Sequence, residues 1–114
     1  MSVRTIRLGD EIRDVLARCF VGEQLRDPRL QGVSITHVRV TADLQSANVY
    51  YRLFDPTRQE EAKNGLYSCA GYLRKTMAEK VKIRKIPELH FFYDKSIEEG
   101  SNIESLLEKI RKES

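Results

Sequence analysis

Val33-Ser34-Ile35-Thr36-His37-Val38-Arg39-Val40 is rich in β-branched residues and reads as a strand. Its apolar positions keep one parity as far as Ile35 and the other from Val38 onward. A bulge, or burial on both faces, would produce that shift. Ala42-Asp43-Leu44-Gln45 supplies a turn. Beyond it Ala47, Val49, Tyr51 and Leu53 alternate with Ser46, Asn48, Tyr50 and Arg52, the pattern of a strand with one buried and one polar face. The link is short, so the two strands should form an antiparallel hairpin.

Upstream, Ile12, Val15, Leu16, Cys19 and Phe20 follow helical spacing and predict a helix from about Arg7 to Gln24. It should stop before Asp27-Pro28, because a proline disfavours α geometry in the residue before it. Downstream, Asp55-Pro56-Thr57 breaks the second strand, with Asp55 or Thr57 able to cap a helix. Ala62, Leu66, Cys69, Leu73, Met77 and Val81 then keep helical spacing, interrupted at Gly71, a residue that marks a kink or a close backbone approach. Pro87 ends the helical region, and Glu88-Leu89-His90-Phe91-Phe92-Tyr93 is a third strand. The chain between the second and third strands is long enough for a helical crossover, right-handed if the strands are parallel neighbours. Ile103, Leu106, Leu107 and Ile110 mark a short C-terminal helix. The expected fold class is α+β, with helices on one face of a small mixed sheet.

A chain of 114 residues is one domain's worth. No apolar run approaches a membrane span, and the start does not read as a signal peptide, so a cytoplasmic location without membrane attachment is expected. Cys19 and Cys69 fit no zinc spacing and fall at apolar helical positions, as buried free thiols do.

The net charge of +3 is small, but its distribution is uneven. Residues 74–93 carry six basic side chains (Arg74, Lys75, Lys80, Lys82, Arg84, Lys85) against Glu79 and Glu88. Val81, Ile83 and Ile86 interleave with the later cations and would anchor the segment, leaving the charges outward. Such a cluster suits phosphate, because each contact releases condensed counterions. The plainer reading is a solvated helix end whose cations favour the macrodipole. Gly71 likewise admits two readings: a kink needed for packing, or a turn that opens helix N–H groups to phosphate.

Catalytic patterns are weak. Cys69 could pair with His37 or His90 only if the fold brought them together. Asp43, Asp55 and Asp94 sit where carboxylates cap turns. Phosphate-loop, zincin and dinucleotide motifs are missing. Among Tyr50, Tyr51, Phe91, Phe92 and Tyr93 some could stack bases, while on a helix-covered sheet most belong to the core.

Several stretches in fixed order carry a resemblance over nearly the whole chain. They are Arg4-Thr5-x-Arg7, Asp27-Pro28-Arg29-Leu30, Asp43-Leu44-x-x-Ala47-x-Val49-Tyr50, Gly71-x-x-Arg74 and Arg84-x-x-Pro87-Glu88-Leu89-x-Phe91-x-Tyr93-Asp94-x-Ser96. Together they resemble the bacterial ribosome-binding factor A family. The resemblance implies a type II KH-like domain of order α-β-β-α-(kink)-α-β over residues 1–96, with 97–114 as a helical extension of the same domain. In that family an interhelical Ala-x-Gly kink replaces the Gly-x-x-Gly loop of RNA-binding KH domains; here it reads Cys69-Ala70-Gly71, with Cys in place of Ala. The family implies a cold-adaptation factor that binds free, immature small ribosomal subunits, contacts their rRNA, assists late processing and leaves before translation, helped by a GTPase or an initiation factor. It implies no catalytic residues, cofactor or metal, and a monomer is expected. Carried over, Arg74, Lys75, Lys80, Lys82, Arg84 and Lys85 are expected on one outward surface as phosphate contacts, with Arg4 and Arg7 adding contacts from the first helix. Two other readings stand beside it: a generic KH-type single-stranded RNA-binding protein, which the missing second glycine disfavours, and a small Cys-dependent enzyme.

Overall fold

The hairpin sits at the centre of the architecture. In the computed structural model, which describes residues 3–21 and 25–96, β1 (Val33–Val40) pairs antiparallel with β2 (Ser46–Leu53). The register shifts between Ile35 and His37, so Thr36 is an extra residue in β1. This bulge lets Ile35 and Val38 both reach the core and turns His37 and Arg39 outward. It is pinned across the sheet: Thr36 Oγ1 donates its proton to Asp94 Oδ2 at 2.5 Å, with the Tyr50 carbonyl 3.3 Å away as a weaker second acceptor.

The hairpin turn closes on backbone and side-chain bonds together. Leu44 N–H donates to the Thr41 carbonyl at 2.9 Å. Asp43 Oδ1 accepts from Thr41 Oγ1 at 2.7 Å and from Gln45 N–H at 3.1 Å. Leu44 takes φ 61°, left-handed backbone that costs a branched side chain roughly 1 kcal/mol.

From β2 the chain enters a 3-10 turn, Pro56–Arg58, capped by Asp55 Oδ1, which accepts from Thr57 N–H at 3.0 Å. The helices α2 (Gln59–Ser68) and α3 (Ala70–Lys80) come next, and β3 (Glu88–Tyr93) returns parallel to β2, giving sheet order β1-β2-β3. On the outer edge of β3, Phe91 N–H donates to Tyr67 Oη of α2 at 3.2 Å, and the two rings meet edge to face with centroids 5.0 Å apart. The three helices cover one face of the sheet, in the α-β-β-α-(kink)-α-β order of a type II KH-like domain. Ile12 and Leu16 of α1, Leu66 of α2, and Leu73 and Met77 of α3 are buried against Val49, Tyr51 and Phe91.

The first helix departs from its expected bounds. It runs Val3–Cys19, not from Arg7. The buried stripe Thr5, Gly9, Ile12, Leu16, Cys19 begins with two residues too small or polar to signal burial. Gly9 is seated directly on β1: a Cβ there would lie 2.5 Å from the Val38 carbonyl oxygen. At the other end the backbone tightens to i→i−3 bonds from Phe20 and Val21, which stops the helix early. Gln24, where the helix was expected to end, and the expected C-terminal helix of residues 103–110 lie outside the described residues. Among the described residues no helix is long and apolar enough to cross a membrane.

Candidate nucleic-acid interface

Residues 81–87 leave α3 as irregular chain, anchored by alternate side chains. Val81 and Pro87 are buried, Ile83 and Ile86 half-buried, while Lys82, Arg84 and Lys85 are exposed. Arg74 fastens this segment from α3. Its Nη2 donates to the Ile86 carbonyl at 3.0 Å and its Nε to the Pro87 carbonyl at 3.3 Å.

The segment faces the start of α1. Arg4, Arg7, Lys82, Arg84 and Lys85 line one groove of about 1060 Å³, with Glu11 and the hairpin-turn residues Asp43, Leu44 and Gln45 completing the wall. Five cations there meet two carboxylates. None of the five forms an ion pair among the described residues. The Asp43 carboxyl is held below the usual range chiefly by the Thr41 hydroxyl, then by Gln45 N–H, with a smaller contribution from the Lys85 charge. Its negative charge is thus committed to the turn.

Of the six cations of 74–85, Lys82, Arg84 and Lys85 line this groove. Lys75 and Lys80 stand exposed on α3 and do not line the groove, because helical rotation points them elsewhere. Arg74 gives two of its five donors to internal carbonyls, so it positions the segment. The two arginines of α1 join the groove instead. Sequence reading missed the hairpin turn as its third wall; the buried glycine that seats α1 on β1 is the signal that brings them together.

The corner between α2 and α3 falls at Cys69, with φ −97° and ψ 5°. Cys69 N–H donates to the Gly65 carbonyl at 3.1 Å and its carbonyl accepts from Leu73 N–H at 3.0 Å. Ala70 and Gly71 already belong to α3. Packing within the chain does not require Gly71: among the described residues a Cβ there would meet nothing within 4 Å.

Burial pushes the Cys69 thiol up to about 11 and raises Cys19 as well. Both are free thiols on the helix side. His37 and His90 lie on the opposite face of the sheet, so no thiol–imidazole pair assembles. Asp27-Pro28-Arg29-Leu30 is a local latch: Asp27 caps the turn through Arg29 N–H at 2.9 Å and grips the Arg29 guanidinium at 2.6 Å.

Comparison with known proteins agrees with this architecture. The model of the family described as ribosome-binding factor A matches residues 4–107. The chain belongs to that family. A ribosome-binding factor A of Enterococcus faecalis is 39% identical over 112 residues, covering 96% of this chain and 95% of that one. The crystal structure of ribosome-binding factor A from Thermus thermophilus superposes with a TM-score of 0.69 at 27% identity, over 78% of this chain and 94% of that one. The Thermus thermophilus factor as fitted into a cryo-electron microscopy map of a 30S complex gives a TM-score of 0.57 at 28% identity, over 75% of this chain and 93% of that one. At the corner between α2 and α3 the half-buried Cys69 thiol donates to the Leu66 carbonyl at 3.4 Å.

Proposed function

We propose that this protein is a cytoplasmic assembly factor that binds the free, immature small ribosomal subunit and assists late maturation and processing of its rRNA without making or breaking bonds. The carrying observation is the convergence of Arg4, Arg7, Lys82, Arg84 and Lys85 on one groove. The 30S complex of a Thermus relative supports the choice of partner. Binding one rRNA conformer better than its competitors shifts the population toward it, and that differential affinity is the mechanism. Release before translation is assigned to a GTPase or initiation factor that competes for the bound state.

Five phosphate contacts give a slope of log K against log salt of about −4, so affinity falls roughly a hundredfold or more between 50 and 200 mM. Reversing Lys82, Arg84 and Lys85 together to Glu should weaken co-sedimentation with small subunits and flatten that slope by about 2 to 3. The fold should be unchanged, since none of the three is buried. Unchanged affinity and slope would remove the site assignment. A generic KH-type single-strand binder would instead hold short oligomers tightly and ignore subunits; the lone glycine of Cys69-Ala70-Gly71 disfavours it, because the backbone clamp of such domains needs two.

A further inference from the structure

The sheet face turned away from the helices carries a row of three rings. Because the Thr36 bulge re-phases β1, His37 lies opposite Tyr50, and Tyr50 lies opposite Phe92 on β3. The ring centroids are 6.0 Å apart for His37–Tyr50 and 5.6 Å for Tyr50–Phe92, each pair tilted by 31°. The next row toward the hairpin turn is Arg39, Asn48 and His90. His37 and Arg39 are exposed, and Phe92 remains 46% exposed.

Cross-strand ring pairs stabilise a sheet by themselves. That role explains the tilt between neighbours but not an aromatic row left open to solvent. The polar groups around the row narrow the choice of occupant. Arg39, Asn48 and His90 offer donors, and Glu88, at the start of β3, is the acidic strand residue on this face. A purely apolar partner would strand those donors, whereas a partner with flat rings, carbonyl acceptors and phosphates would use rings and donors together.

We infer that this open face is a stacking platform for bases of single-stranded RNA, with Phe92 and Tyr50 as the stacking rings, His37 extending the row, and Arg39 beside it for the backbone. Rings on a sheet face commonly take two or three unstacked bases, one per ring. The inference rests on the reading that the chain binds rRNA. It adds a second contact, on the side of the sheet away from the helices, whose strength depends on stacking more than on salt.

The test uses the full chain and a ten-residue uridine oligomer. Ring proton resonances of His37, Tyr50 and Phe92 should shift on saturation, and should still do so in the Lys82→Glu, Arg84→Glu, Lys85→Glu protein. Phe92→Leu keeps an apolar side chain and should raise the oligomer Kd at least threefold; adding Tyr50→Thr should bring the rise to tenfold or more at an unchanged salt slope. Ring resonances that stay still at saturation, or a Phe92→Leu protein that binds as tightly as the parent, overturn the platform. A concentration-dependent dimer abolished by Phe92→Leu also overturns it, assigning the face to a second copy of the chain. If the double variant fails to fold, the parent's ring shifts and the single variant decide. Silent rings with an intact groove response sink this inference alone; silence at both sites sinks the functional reading as well.

Discussion

Gly9→Ala adds one methyl group, and its effect can be worked from a single distance. The new Cβ would lie 2.5 Å from the Val38 carbonyl oxygen, where ordinary contact begins near 3.4 Å. Either α1 lifts off β1 by about 0.9 Å or the strand backbone yields. Overpacking costs about 1–3 kcal/mol, and here about 2–3 is expected, because a carbonyl oxygen cannot rotate aside as a side chain can. The better helix propensity of Ala returns about 1 kcal/mol. The net expectation is a loss of about 1–2 kcal/mol, or roughly 4–16 °C in Tm for a domain of this size. Gly71→Ala is the control. It lies in α3 with nothing within 4 Å of the new methyl, so the same substitution should stabilise by roughly 0.5 kcal/mol. Urea unfolding of the three proteins, with m-values compared, reads both signs. Because α1 carries Arg4 and Arg7, Gly9→Ala should also weaken subunit binding, and Gly71→Ala should not. A neutral or stabilising Gly9→Ala would refute the close seating of α1 on β1, and with it the shape of the groove.

Single contacts set the other expectations. Arg74→Ala releases two carbonyls of the 81–87 segment; it should cost about 1 kcal/mol and speed amide exchange at residues 82–86, which hydrogen-exchange NMR would show. Thr36→Val keeps the β-branch but removes the bond to Asp94, at a cost of about 1–2 kcal/mol. Asp94 is held below the usual carboxylate range by Ser96 first and Thr36 next. Its contribution is therefore present above the unfolded value near 3.9 and fades as pH falls through the lower folded value. Parent and Thr36→Val stabilities should converge there, and a gap constant down to pH 2 would contradict the pairing. Cys69, with its thiol near 11, should alkylate slowly at neutral pH and faster only as pH rises toward that value. Cys69→Ala should leave subunit binding intact; a fast-reacting thiol at pH 7 would argue for the enzyme reading.

Where hydrophobicity alternates cleanly, the fold is legible from residues alone. The parity shift between Ile35 and Val38 announces the bulge, and spacing and punctuation give the hairpin, the helical crossover and the third strand. What escapes are positions whose burial serves backbone contact and not side-chain packing. Thr5 and Gly9 extend the buried stripe of α1 without looking apolar, so the helix begins earlier than its large residues suggest. Gly71 is the opposite case, since among the described residues nothing approaches it. The candidate site was half legible. Lys82, Arg84 and Lys85 are outward because Val81, Ile83 and Ile86 point in, a one-dimensional pattern. That Arg4 and Arg7 join them in the groove, that Lys75 and Lys80 do not line it, and that Arg74 ties down the 81–87 segment all depend on how α1 and α3 lie across the sheet.

The phenol of Tyr67 occupies the Phe91 amide, which faces away from β2 on the open side of β3. A strand edge with a free amide every second residue is a template on which another chain can grow. Here the template is interrupted at its midpoint by a side chain from the protein's own helix, so an invading strand would have to evict an aromatic ring before it could zip. The β3 margin of the sheet is therefore blocked against strand addition at its midpoint for as long as α2 stays docked.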